Sequence, residues 1–210
     1  MDLTDEALID KFLAEEDMML FKILVRRYQQ KVYSLAYRTL GSSEEAEEIV
    51  QDTFVRVHQN ISKYRRNSSF ASWLFKITHN LCMDSLRMKQ RRSANRQISY
   101  DAPSAVAEDE GGFNPALAQL VDLRPGPSHC LELEEQNRII EESINGLPES
   151  QKTVLILHDL QDFSYQEIAE IVGTSIGTVR SRLHYGRSKL REMLAPYFNS
   201  ESFNLPATSR

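Results

Sequence analysis

Residues 96–132 interrupt the chain's helical spacing, and this break limits what the chain can fold into. The stretch holds Pro103, Gly111, Gly112, Pro115, Pro125, Gly126 and Pro127 and has no sustained apolar repeat. Proline and glycine at that density punctuate a chain rather than continue an element. On either side, apolar residues recur at three-and-four spacing, the signature of amphipathic helices. The spacing predicts an all-α protein of two small helical domains, residues 5–95 and 133–195, joined by a long flexible linker, with a frayed tail over 196–210. Short helical turns are expected near residues 116–121 within the linker.

In the first domain a helix is predicted over 20–40, burying Phe21, Leu24, Val25, Tyr28, Val32, Leu35 and Ala36 and stopping at Gly41. Ser42 or Ser43 starts a second helix whose opening turns hold Glu44, Glu45, Glu47 and Glu48, where the helix dipole favours acids. Its apolar face is Ile49, Val50, Phe54 and Val57. Residues 61–70 read as a basic loop. A third helix over 70–92 carries Trp73, Leu74, Ile77 and Leu81 on one stripe, which places Trp73 in the core.

In the second domain Ile139, Ile140, Ile144 and Leu147 share a face, and Gly146-Leu147-Pro148 turns the chain into a helix holding Val154, Leu155 and Leu157. Ser164 and Glu167 form a capping box. The helix after it presents Ile168, Ala169, Ile171 and Val172 inward. Gly173 suits a left-handed turn, and Thr174 or Ser175 caps the next helix. That last helix is expected to bury Ile176, Val179, Leu183 and Leu190 and to turn Thr178, Arg180, Ser181, Arg182, His184, Tyr185 and Arg187 outward. A short helix, a glycine turn and a basic second helix have the spacing of a helix-turn-helix that reads the DNA major groove. The alternative is a plain helical hairpin with a basic outer face.

Charge supports the DNA reading despite a net charge of −5. Residues 63–92 hold Lys63, Arg65, Arg66, Lys76, Arg87, Lys89, Arg91 and Arg92 against Asp84 alone. Residues 175–191 hold Arg180, Arg182, Arg187, Lys189 and Arg191 and no acid. The N-terminal twenty residues and residues 101–135 are strongly acidic. Two basic blocks separated by an acidic one predict two contacts with a polyanion.

Other chemistry finds little footing. Cys82 and Cys130 are far apart and give no disulfide framework. His79 and Cys82 are three apart but lack a second ligand pair, so neither a metal nor any other cofactor is expected. Glu44, Glu45 and Glu48 lie on a helix face without a histidine partner, which argues against a nuclease or recombinase centre and against an enzyme generally. The acidic start Met1-Asp2-Leu3-Thr4-Asp5-Glu6 is unlike a secretory signal, and no apolar run reaches the roughly 18 residues of a membrane span. A cytoplasmic protein is expected.

The segment Glu44-Glu45-Ala46-Glu47-Glu48-Ile49-Val50-Gln51-Asp52-Thr53-Phe54-Val55-Arg56-Val57 closely resembles the part of extracytoplasmic-function (ECF) sigma factors, of the sigma-E-like group, that binds the polymerase clamp helices. Phe70 to Arg87, through Trp73-Leu74-Phe75-Lys76-Ile77 and His79-Asn80-Leu81, resembles the family's promoter-melting helix. Leu147-Pro148-Glu149-Ser150-Gln151 and Gly177-Thr178-Val179-Arg180-Ser181-Arg182-Leu183 resemble its later signatures. The resemblance covers about residues 10–95 and 133–195.

It implies a factor that carries core RNA polymerase to promoter DNA and is not itself an enzyme. By resemblance, Glu48, Gln51 and Asp52 face the polymerase. Lys63, Tyr64, Arg65, Arg66, Asn67 and Ser68 in the loop, with Asn80 and Arg87 on the helix, handle the minus-ten element and capture a flipped base. For Asn80 a structural hydrogen bond, at a helix cap or in the core, is an equal alternative. Thr178, Arg180, Ser181, Arg182, His184, Tyr185 and Arg187 meet the minus-thirty-five element. The acidic linker matches in place the connector that threads the polymerase's RNA path, with a plain disordered tether as its alternative. An anti-sigma factor is the expected inhibitory partner, often one held at the membrane. The chain is expected to be a monomer when free, because two different domains read two elements. A helix-turn-helix regulator acting without polymerase is the main rival, and a sigma-like decoy that binds polymerase without initiating is another.

Overall fold

The computed structural model describes residues 3–98, 136 and 138–197. The expected linker beyond residue 98, with its turns near 116–121, and the tail beyond 197 lie outside the described residues. Among the described residues every regular element is helical.

Helix α1 (Asp5–Glu15) is capped by Thr4, whose hydroxyl accepts from the Ala7 amide at 3.3 Å. Sequence periodicity did not single this helix out. Helix α2 (Met18–Leu40) is capped by Asp17 and ends at Gly41, which has φ +74°. Only glycine enters that region without steric cost, and the stop lets α3 (Ser43–Asn60) double back under its Ser42 cap. A 3₁₀ turn, Ile61–Lys63, closes α3. Helix α4 (Phe70–Ile98) runs six residues past the expected end at 92. A short helix, α5, occupies 138–145. Helix α6 (Glu149–Leu155) runs on into a π turn, Ile156–Leu160. Helix α7 (Tyr165–Val172) and α8 (Ile176–Leu194) follow, separated by Gly173 at φ +67°.

The apolar stripes pack as their spacing predicts. Leu8, Ile9 and Phe12 of α1 cover Phe21, Leu24 and Val32 of α2, with Phe54, Val57, Phe70 and Leu74 completing that core. At the other end Ala36 and Leu40 meet Ala46, Ile49, Leu81 and Cys82. Trp73 is half-buried, packed on the rim of the first of these cores. Ile144, Leu147, Val154 to Leu157, Ile168, Ile171, Val179, Leu183, Leu190 and Leu194 build the core of the second helical group.

The two groups are joined at a seam. Leu35 of α2 and Phe75 of α4 are buried within the second group's core. Phe75 meets Phe163 edge-on, ring centroids 4.9 Å apart. Arg38 pairs with Glu141 at 3.5 Å. Arg182 of α8 lies close enough to His79 of α4 to act on its charge. Burial first, then Arg182 and Arg87, push the His79 imidazole down to about 4.

Two outcomes follow from this packing. Leu24, fully buried, leaves a cavity when cut to alanine, so Leu24→Ala costs about 2–5 kcal/mol in urea unfolding, while Val55→Ala on the exposed face of α3 stays within about 0.5 kcal/mol. His79 is neutral when folded and has an ordinary value of 6.5 when unfolded, so the unfolded chain binds more protons between the two values. Stability from this group is complete above about pH 6.5 and falls as pH falls towards about 4; thermal unfolding at stepped pH shows that slope flattened in His79→Gln.

Candidate nucleic-acid interface

Helix α7 starts on a complete capping box. The Glu167 amide donates to the Ser164 hydroxyl at 3.3 Å, and the Ser164 amide donates to Glu167 Oε2 at 3.0 Å. Burial raises the Glu167 carboxyl, but bonds from Ser164, Ser72 and Ser69 outweigh it and hold the group below the usual range. After Gly173, Ser175 rather than Thr174 caps α8, accepting from the Thr178 amide at 3.1 Å.

Val179, Leu183, Gly186, Leu190 and Leu194 hold α8 against its neighbours. Gly186 sits where an added Cβ would lie 3.4 Å from Gln151 Cβ, which keeps α6 and α8 close. The opposite face leaves Arg180, Ser181, His184 and Tyr185 exposed, with Thr178 and Arg182 half-buried at its edges. Arg180 and His184, and likewise Ser181 and Tyr185, are one helical turn apart, so the four side chains form one patch. The His184 and Tyr185 rings meet edge-on at 5.5 Å. The Ser181 hydroxyl donates to the Gly177 carbonyl at 3.0 Å.

Two expectations on α8 are corrected. Arg187 does not point outward: it is 8% exposed, and its Nε donates to Asp159 Oδ2 at 3.1 Å while a terminal nitrogen grips Oδ1. Burial raises the Asp159 carboxyl, but Arg187 and His158 outweigh it and pull it below the usual range. The π turn after α6 covers this flank of α8 with Asp159, and Arg187 is the cation that matches it. Arg187 is therefore a scaffold residue. Ile176 is 45% exposed rather than buried, because it stands at the first position of α8, at the end of the apolar stripe.

The basic loop between α3 and α4 is pinned from inside. The Tyr64 ring, half-buried, lies 5.4 Å from Trp73 and 6.0 Å from Phe70, and its hydroxyl donates to the Ser68 carbonyl at 2.6 Å. Ser68 is half-buried as well. Lys63, Arg65, Arg66 and Asn67 are exposed around this anchor. Arg66 has φ +56° and pairs with Asp10 of α1, and Lys63 donates to the Asn60 side chain at 3.1 Å. On α4, Lys76, Asn80, Asp84, Arg87 and Arg91 are exposed at spacings of four, four, three and four, which is one helical face. Arg87 donates to Asp84 at 3.1 Å. Asn80 is exposed, so a core hydrogen bond is not its role.

Helix α3 buries Ala46, Ile49, Thr53, Phe54 and Val57 and leaves Glu48, Gln51 and Asp52 exposed on the far side. Val55, 53% exposed, stands one turn on from Gln51 and Asp52. It gives that acidic face an exposed apolar residue. Cys82 is buried and its thiol is pushed up to about 12, first by burial and then by Glu149. Among the described residues no group of three or more His, Cys, Asp or Glu side chains could hold a metal, and no helix is long and apolar enough to cross a membrane.

Comparison with known proteins separates the readings of this geometry. Residues 24–92 match the family model of sigma-70 region 2, and residues 137–190 match that of sigma-70 region 4. The ECF RNA polymerase sigma-E factor of Haemophilus influenzae is 33% identical over 92% of this chain and 97% of its own length. The ECF RNA polymerase sigma factor SigW of Bacillus subtilis is 34% identical over 88% of this chain and 94% of its own. A solved structure of the sigma factor RpoE with the anti-sigma factor NepR from Bartonella quintana superposes with a TM-score of 0.62 at 23% identity, covering 85% of this chain and 98% of that one. The structure of CnrH with the cytosolic domain of CnrY gives 0.61 at 22% identity, over 92% and 99%. A helix-turn-helix regulator acting alone would account for the match at residues 137–190 and leave the one at 24–92 without a purpose. With both regions matched in order, and relatives of that similarity over nearly the whole chain, the protein belongs to the ECF RNA polymerase sigma factors.

Proposed function

We propose that this sigma factor divides its work among three faces. The exposed side of α3, Glu48, Gln51 and Asp52 around Val55, docks on the polymerase, where an acidic rim about an apolar anchor suits a basic partner surface. The loop residues Lys63, Arg65, Arg66 and Asn67, with Asn80 and Arg87 on α4, handle the minus-ten element. Tyr64 and Ser68 shape that loop from beneath. Thr178, Arg180, Ser181, Arg182, His184 and Tyr185 read the minus-thirty-five element from the major groove. Residues 5–95 and 133–195 are thus two working domains.

One observation carries this reading: two unlike basic surfaces, the α3–α4 loop with α4 and the outer face of α8, lie on the two regions matched separately to sigma-70 families. On this reading the protein has no catalytic step of its own, works in the cytoplasm, is a monomer when free and is restrained by an anti-sigma factor. The solved neighbours in complex with NepR and CnrY support that last point by analogy.

Mixed with bacterial core polymerase on a genomic fragment library, the purified chain yields discrete transcripts that core alone does not make. Binding to core without any new start would leave a decoy, and failure to bind core would sink the sigma reading for these faces. Arg180→Ala weakens initiation by about 1–3 kcal/mol of promoter recognition and leaves thermal stability unchanged. Arg187→Ala does the reverse first: it leaves Asp159 without its cation and lowers folding stability by about 1–3 kcal/mol.

A further inference from the structure

Helix α1 precedes the stretch that matches sigma-70 region 2, and it is seated firmly on α2. Leu8, Ile9 and Phe12 are buried in the first core, and Asp5 pairs with Arg27 at 2.8 Å and accepts from the Tyr28 hydroxyl. Glu6 and Asp10 stand one turn apart on this helix, and both bear on the basic loop between α3 and α4. Burial first and then Glu6 hold the Tyr64 phenol above its ordinary value. Asp10 Oδ1 takes the Arg66 guanidinium.

Of the loop's two arginines, Arg66 alone is paired with an acid among the described residues. It also has φ +56°, a left-handed conformation that an arginine adopts at a steric cost. Tyr64 closes the loop beneath it through the Ser68 carbonyl. Both members of the pair are exposed, so an anion approaching the loop can reach the guanidinium.

An exposed pair of this kind adds little to folding, but it changes what Arg66 offers to a nucleic acid. A strand phosphate is a second anion for the same guanidinium, and it carries no sequence information. Taking a base out of the stack costs free energy, which base contacts in the right sequence must offset if strand capture is to be selective. A strong phosphate grip would offset part of that cost at every sequence.

We propose that Asp10 restrains the loop: its carboxylate occupies Arg66 against the phosphates of the single strand, so that capture depends more on the loop's base contacts. Asp10 is thus a positioning residue that acts through Arg66 and touches no DNA itself. This role rests on the reading of the loop as a minus-ten contact. The seat of the carboxylate matters. On a flexible segment it would lose conformational freedom by pairing, whereas beside buried Ile9 and Phe12 the helix that carries it is already ordered.

Binding of fluorescein-labelled single strands to holoenzyme, assembled from core polymerase and the full chain, tests this. One strand is the non-template strand of a promoter recovered from the fragment library, and the other is a scrambled strand of equal length. Asp10→Ala, at an exposed position where alanine suits a helix, should tighten both strands by about two- to fivefold, the size of an exposed ion pair. It should also steepen the slope of log K against log salt by about 0.7, the mark of one more phosphate contact on a single strand. Asp10→Glu keeps the carboxylate and should bind as the unmodified chain does. In an Arg66→Ala background, Asp10→Ala should gain little. An unchanged or weaker grip in Asp10→Ala, an unchanged salt slope, or the same gain without Arg66 overturns the restraint. Arg65→Ala reports on the loop separately: removing this unpaired arginine should weaken both strands, and if it does not, the minus-ten reading of the loop falls and the restraint with it.

Discussion

Helix α4 is the member on which the rest of the molecule depends. Its successive turns serve three different cores. Phe70 and Leu74 complete the core of α1, α2 and α3, Leu81 and Cys82 complete the one near Gly41, and Phe75 enters the core of the second domain. One face remains for Lys76, Asn80, Asp84, Arg87 and Arg91. A helix surrounded on three sides has little room to tilt, so the polar face it presents is fixed by packing rather than by its own contacts with solvent. The loop before it inherits that rigidity through Tyr64, which lies against Phe70 and Trp73 and ties the chain at Ser68.

The second domain achieves the same result with fewer residues. Helix α8 is oriented by Gly186 against Gln151 and by Arg187 against Asp159, both on the α6 side. A part-buried ion pair of this kind is weak evidence for net stability, because desolvating the charges offsets much of their attraction. It is stronger as a register device. Only one rotation of α8 brings Arg187 to Asp159, and that rotation also turns Arg180, Ser181, His184 and Tyr185 outward.

Much of this was legible in the sequence, because local rules decided it. Gly41 and Gly173 marked turns that do require positive φ, Ser164 and Glu167 form the capping box their spacing predicts, and the apolar stripes of α2, α3, α7 and most of α8 are the buried ones. What the sequence hid depends on partners distant along the chain. Arg187 lies two turns after Arg180 and looks equivalent to it until Asp159, twenty-eight positions earlier, is folded over its flank. Ile176 has an apolar side chain at a helical start, and periodicity does not tell where the neighbouring helices end. Leu35 fits the stripe of its own helix and Phe75 falls outside the stripe expected of α4, yet both are buried in the core of the second helical group. Glu167 satisfied a local motif, which concealed its second set of partners in α4.

The distribution of charge follows from the same division between local and distant. A net charge of −5 is unfavourable for a protein that meets DNA, since like charges repel within a Debye length of about 8–10 Å. The fold answers by spacing and by pairing. Acids on α3 stand on the side of that helix away from its core, while α1 lends Asp10 to Arg66, a surface pair worth little to stability. Arg187, paired with the half-buried Asp159, is withdrawn from the exposed face of α8, and Arg180 is left with no acid beside it in sequence. Net charge therefore understates what the surface offers, because the quantity that matters to a phosphate backbone is the uncompensated charge on one face.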